Sequence, residues 1–388
     1  MRKNIFLLAA IVVIVSCKKN NDSTSNSSGE DDDCVMRSST GSGEIKASQY
    51  IVAFSHAINS RTSSRISLDQ VSKDVLQRNT IDVSALKTSF AGEPGGFIAT
   101  MTPHQAEDLR HDESIEAVEP DKVISLGSCF TVVEPRLVTW NISRIGYGNG
   151  IGKTAWIVDS GIDFDHPDLT VDQTRSRSFV EGQTSADDQN GHGTHVAGII
   201  GAKNNTIGVL GVASGASLVA LKVLDKDGEG NLSYIIQAIA YINTVAGPGD
   251  VINMSVGGES GSDILDQQVR NTAARGIYFA IAAGNDNKLA NLSSPARVNA
   301  SNVYTVSAID SLDNFASFSN YGNDVVDFAA PGVRILSTWM GNRYAYASGT
   351  SMAAPHVAGL LLLRGRNITS SGVAKNDPDG TPDPIVHY

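Results

Sequence analysis

The sequence predicts an α/β protein built on a mostly parallel sheet with helices on both faces, preceded by a small α+β unit. Three observations carry this expectation. First, near-continuous apolar runs recur at TAWIVD (154–159), SLVALKVLD (217–225), DVINMSV (250–256), GIYFAIAAGN (276–285) and VYTVSAID (303–310). Second, segments of helical period lie between them, LSYIIQAIAYINTV (232–245) and DILDQQVRNTAARG (263–276). Strands without polar alternation, separated by helices, suit a parallel sheet buried on both sides, where chemistry collects at the carboxyl ends. Third, residues 50–123 change character: YIVAF and GGFIATMT read as strands, TPHQAEDLRHDE as a helix started by Thr102, and IEAVEPDKVI as a closing strand.

The first residues read as an export signal, with Arg2 and Lys3 ahead of an apolar run from Ile5 to Val15 that is short for a membrane span. Ile14-Val15-Ser16-Cys17 resembles the lipobox of bacterial lipoproteins, which implies cleavage before Cys17 and lipid on its thiol. The stretch from Lys18 to Asp33 has nothing apolar to bury and reads as a flexible tether. The expected order is a signal peptide (1–16), a tether (17–49), a small α+β domain (50–127) and a large domain (128–388). With Cys17 lipidated, Cys34 and Cys129 remain, either paired in an oxidising compartment or separate. The formal net charge of −11 argues against a nucleic-acid partner.

Candidate chemistry sits at the strand ends. Asp159 follows the apolar run Ala155–Val158; it is either a helix-capping carboxylate or a group with a buried partner. His192 stands between Gly191 and Gly193 at the start of an apolar helix. A metal pairing with His195 is disfavoured, since H-x-x-H lacks the glutamate of H-E-x-x-H. Asn285 ends the fourth run, as a turn residue or as an amide donor aimed into a cleft. Ser351 lies in ASGTSMAAPHVAG among small residues, which suit either a helix N-terminus or the approach of a substrate to its hydroxyl. The order Asp159, His192, Ser351 is one of the known orders of the serine triad.

DSGID, HGTHVAG and GTSMAAPHVAG resemble the three catalytic motifs of the subtilase family of serine endopeptidases, and AAGN resembles its oxyanion motif. The 50–123 segment, with its VEPD strand, resembles the family's inhibitory propeptide. The resemblance implies a secreted or lipid-anchored endopeptidase matured by propeptide cleavage between about Val123 and Val132. In this reading His192 is the base, Asp159 its orienting partner, Ser351 the nucleophile and Asn285 an oxyanion donor. The same resemblance makes Ser255-Val256-Gly257 the strand to which an extended polypeptide adds, and Ala282-Ala283-Gly284 an uncharged cleft floor with Asp286 at its rim. It also implies a structural Ca²⁺ bound by Asp168, Asn205 and the carbonyls of Lys203, Ile207 and Val209, with no catalytic cofactor. The implied partners are polypeptide substrates, the chain's own propeptide and, through Cys17, a membrane. NDPDGTPDPIVHY departs from the family pattern: Pro-rich and aperiodic, it predicts that the usual closing strand and helix are missing or altered.

Overall fold

The computed structural model describes residues 43–59, 65–125, 131–132, 138–258 and 260–388. The readings that concern Cys17, Cys34 and Cys129 fall outside these residues.

The period of two decides the main sheet. Its nine strands run in the spatial order Thr369–Val373, Pro384–His387, Val326–Pro331, Val303–Ile309, Tyr278–Ala282, Val251–Met254, Thr154–Asp159, Ser217–Lys222 and Arg177–Ser178. Every pairing is parallel except that of Thr369–Val373 with Pro384–His387, at one edge. In Thr154–Asp159, Ala155 and Ile157 face one way, into the core with helices His192–Gly201 and Thr350–Arg364. Trp156 and Val158 face the other way, into the core with helices Leu232–Val245 and Asp263–Ala274. Both faces are therefore covered, which explains the lack of polar alternation in the sequence.

The smaller unit is an antiparallel sheet of Ile115–Ser125, Ile45–Phe54, Gly96–Thr100 and Leu86–Phe90, with helices Arg65–Arg78 and Pro103–Leu109. Thr102 caps the second helix as read, in a capping box: Thr102 Oγ1 accepts from Gln105 N at 3.2 Å and Gln105 Oε1 accepts from Thr102 N at 2.9 Å. Alternation again assigns the faces. Val52 and Phe54 pack with Leu68 and Leu76 of the unit's own helix, whereas Ile51, Ala53, Phe90 and Ile98 enter the core of the larger unit's helices. The first strand begins at Ile45, ahead of the boundary drawn at Tyr50. A fifth strand, Glu229–Asn231, comes from the larger unit and pairs with Ile115–Ser125.

The C-terminus is more ordered than its composition suggested. Pro384–His387 adds to the main sheet, with Ile385 opposite Ala329, so the closing strand is present, while among the described residues no helix follows Arg364. Periodicity fails to reveal a strand of four residues. Asp383 immediately precedes it, 3% exposed, accepting a hydrogen bond from Ser307 Oγ at 2.5 Å. Burial, with Asp377, Asp379 and Asp327 nearby, pushes its carboxyl up to about 7. The folded state thus binds a proton that the unfolded chain releases near pH 4, so this stabilisation is complete below about pH 4 and lost as pH rises towards 7. Asp383→Asn is expected to remove this loss, raising stability at pH 8 relative to the parent by about 1 kcal/mol or more while changing it little at pH 4. Thermal melts at the two pH values check it; equal shifts at both would contradict it.

Candidate active site

Asp159 ends its strand at the carboxyl edge of the sheet and is completely buried. Its Oδ1 accepts from Ser160 N at 2.7 Å and lies 2.7 Å from His192 Nδ1. It has a buried partner, and the helix-capping alternative falls away. His192 opens helix His192–Gly201, and its Nε2, also buried, has no hydrogen-bond partner among the described residues. The two flanking glycines are required sterically. A Cβ on Gly193 would lie 2.1 Å from the Gly161 carbonyl, and one on Gly191, where φ is +110°, would lie 2.3 Å from the Trp339 ring. Only bare backbone lets the helix end come this close to the Asp159 turn.

His195 Nε2 is directed at backbone carbonyls and not at His192. Its Nε2 sits 3.0 Å from the carbonyls of Ile335 and Ala345, and burial pulls its pKa down to about 3. It is a core histidine, and the two do not form a metal pair.

Ser351 is the second residue of helix Thr350–Arg364, whose N-cap, Gly349, makes no side-chain capping bond. The serine hydroxyl is therefore not spent on capping. Its Oγ donates instead to the Ser255 carbonyl at 3.1 Å, and Ser255 Oγ donates to the Ser351 carbonyl at 2.8 Å. The second bond has a backbone cause. Pro355 lies inside the helix and offers no N–H to the carbonyl four residues earlier, which is that of Ser351; Ser255 replaces the missing donor. To donate to His192 Nε2 the Ser351 hydroxyl must give up its bond to Ser255.

Asn285 Oδ1 accepts from Thr350 N at 2.8 Å and from Thr350 Oγ1 at 2.9 Å. The amide is thus oriented by the residue preceding Ser351. Ser255, Val256, Gly257, Ala282, Ala283, Gly284, Asn285 and Ser351 all line one cleft of about 620 Å³. Asp286 lines it too, but its charge is met by Lys288, 3.2 Å away, which reduces what it can offer a basic substrate side chain.

Ile124 and Ser125 of the smaller unit lie in the same cleft. Their strand runs antiparallel to Glu229–Asn231, with Ser125 opposite Glu229 and Ile124 opposite Gly230. Two carboxylates of this strand dock it. Glu119 accepts from Ser262 Oγ at 2.6 Å and from Asp263 N at 2.9 Å at the start of helix Asp263–Ala274. Asp121 accepts from Ser233 N at 3.0 Å and Ser233 Oγ at 2.6 Å at the start of helix Leu232–Val245. Each meets unpaired N–H groups and the positive end of a helix.

The loop 203–209 does fold around Asp168. Asp168 Oδ1 accepts from Asn205 Nδ2 at 2.9 Å, its Oδ2 accepts from Val209 N at 3.0 Å, and its carbonyl accepts from Lys203 N at 2.9 Å. Ile207 N donates to Asn205 Oδ1 at 2.9 Å. Burial pushes the Asp168 carboxyl up, opposed by these donors. Among the described residues no group of three or more His, Cys, Asp or Glu could hold a metal. The Asp168 carboxylate thus meets donors, the Asn205 amide nitrogen, the Val209 N–H and the Tyr344 hydroxyl; Asn205 would have to turn its amide by half a revolution to present oxygen to a cation.

Four supporting residues were not singled out in the sequence. Thr350 orients Asn285. Asp188 Oδ1 accepts from Ser160 Oγ, Asn190 N and Gly191 N, and its Oδ2 accepts from Thr194 N and Oγ1, so it caps the His192 helix. Ser160 Oγ in turn accepts from Gly193 N at 2.9 Å. Lys222, fully buried, donates to the Ser160 carbonyl at 2.6 Å. A lysine inside the apolar run SLVALKVLD was the readable signal for the last of these.

Comparisons with known proteins bear on the family and the fold. The subtilase family model matches residues 152–368, and the peptidase inhibitor I9 model matches residues 49–127. The chain is 40% identical over 272 residues to a thermostable alkaline protease of Halalkalibacterium halodurans, covering 68% of this chain and 71% of that protein. It is 40% identical over 303 residues to subtilisin E of Bacillus subtilis, covering 72% and 76%. The crystal structure of a cold adapted subtilisin-like serine proteinase, 33% identical, superposes with a TM-score of 0.56 over 65% of this chain and 98% of its own. The chain therefore belongs to the subtilase family of serine peptidases and carries a peptidase inhibitor I9 propeptide domain ahead of its catalytic domain.

Proposed function

We propose that the chain is an exported, lipid-anchored endopeptidase that cleaves polypeptides with Asp159, His192 and Ser351. The observation that carries this reading is the buried 2.7 Å contact of Asp159 Oδ1 with His192 Nδ1, in a chain whose Ser351 and Asn285 line one cleft. Asp159 holds the tautomer that leaves His192 Nε2 unprotonated. Nε2 takes the Ser351 proton as Oγ attacks the scissile carbonyl, then passes it to the departing amine; water cleaves the acyl-enzyme by the same route in reverse. Asn285 and the Ser351 N–H receive the oxyanion. Substrate lies extended along Ser255–Gly257 and pairs with Glu229–Asn231, the strand that Ile124 and Ser125 of the propeptide pair with, so backbone pairing supplies affinity without strict sequence preference. The uncharged Ala282–Gly284 floor and the neutralised Asp286 favour apolar residues over basic ones before the cut.

The propeptide, residues 50–127, acts as inhibitor by walling the cleft with Ile124 and Ser125 and by clamping two helices through Glu119 and Asp121. Maturation cuts between about Val123 and Val132 and separates the catalytic domain (128–388) from the lipid on Cys17. A fluorophosphonate probe tests the catalytic reading. The mature protein is expected to take up one probe per chain, mapped to Ser351 by mass spectrometry; labelling elsewhere, or none in a folded protein, would overturn it.

Asp168, Asn205 and the carbonyls of Lys203, Ile207 and Val209 would hold a structural calcium ion, which supplies the positive charge that pins their loop. Chelation is expected to lower the melting temperature by about 5–10 °C, the effect of an ion bound by the native state at roughly a hundred times its dissociation constant. Asp168→Ala should abolish the difference. Identical melting with and without chelator would remove the site.

A further inference from the structure

We propose that Lys222 is a positioning residue for catalysis, locking the Asp159 turn and balancing the charge of Asp188 so that the Asp159 carboxylate is reserved for His192. The inference rests on the reading of Asp159, His192 and Ser351 as the catalytic set.

Two features single out Lys222. It is a lysine with no exposed surface, on the strand beside Asp159 and directly opposite it in register. A buried ammonium persists only where something compensates its lost hydration. Burial pulls its pKa down, while Asp188, Asp225, Asp159 and Asp187 act against that loss, in that order. Its ammonium donates to the Ser160 carbonyl at 2.6 Å.

That carbonyl belongs to the turn that aims Asp159. Ser160 N holds Asp159 Oδ1, the same oxygen that meets His192. Ser160 Oγ joins Asp188 to Gly193 N, the residue after His192. The Gly161 carbonyl packs so close to Gly193 that no side chain fits there. Lys222 therefore grips, from the sheet side, the short loop whose other side touches the His192 helix. A methylene chain of the same length would fill the space and lose the grip.

The charges also sum in a useful way. Asp159 and Asp188 are two buried carboxylates, 0% and 7% exposed, beside one buried ammonium. With His192 neutral the group carries one net negative charge; when His192 takes the Ser351 proton it becomes neutral overall. The groups facing His192 itself are Asp159 from the strand and His195 from its own helix. Removing Lys222 leaves two uncompensated carboxylates, which favour the imidazolium before substrate arrives. Removing the charge of Asp188 does the opposite.

The test is the pH profile of full-length, self-matured enzyme with active sites counted by the fluorophosphonate probe. Lys222→Met is expected to lower kcat per titrated site by about ten- to hundredfold, leave KM within about twofold and move the acid limb of kcat/KM to higher pH. Asp188→Asn should move that limb to lower pH, and the double variant should return it towards the parent. A merely structural lysine would reduce yield without producing opposite displacements. Lys222→Met with the parent's kcat and acid limb overturns the proposal, as do single variants that shift the limb in one direction. If Lys222→Met yields no folded enzyme, Asp188→Asn and the double variant decide it: an acid limb unmoved by Asp188→Asn, or moved upwards, overturns it. A parent enzyme unlabelled at Ser351 would sink the catalytic reading itself, a separate outcome.

Discussion

Ser351→Ala is expected to yield a folded chain that neither cleaves protein substrates nor processes its own propeptide. The hydroxyl makes one internal hydrogen bond, to the Ser255 carbonyl, and caps no helix, so its loss costs the fold little. Its loss to chemistry is severe, because this hydroxyl forms the acyl bond. Turnover should fall by about 10⁶-fold, the scale at which a nucleophile and its base act as a unit. Intact mass reports the processing and casein digestion the activity. A full-length species that persists with native near-UV circular dichroism supports the reading, and normal processing by the purified variant would refute it.

Asp159→Asn should cost about 10⁴-fold in kcat while preserving the fold. In the parent one oxygen, Oδ1, serves both Ser160 N and His192 Nδ1. An amide turned with its nitrogen there opposes Ser160 N and can only donate to Nδ1, which leaves His192 in the wrong tautomer, and in either orientation the imidazolium loses its counter-charge. Because the three residues work as one unit, adding Asp159→Asn to Ser351→Ala should bring no comparable further loss. An Asp159→Asn enzyme within tenfold of the parent would show that the buried contact is only structural.

What the sequence determined by itself was whatever is written locally. Apolar runs such as Ala155–Val158 announced a sheet buried on both faces, because each alternate residue meets a different helix layer. The short motifs around Asp159, His192, Asn285 and Ser351 were legible because catalysis needs particular residue types with small neighbours, and Gly193 shows why the neighbours are small. The four-residue closing strand at Pro384 was not legible, since it is held by register with Ala329 and by Asp383 on Ser307 rather than by any pattern of its own.

Only the tertiary structure decided which distant groups serve the site. Ser255 replaces the N–H that Pro355 lacks, across 96 residues of chain. Glu119 and Asp121 reach helix ends more than a hundred residues away, and Lys222 reaches Ser160 across 62. Each is an ordinary polar residue until folding removes water from around it. Its hydrogen-bonding needs must then be met by whatever the topology brings near, and a linear sequence carries no record of that neighbourhood.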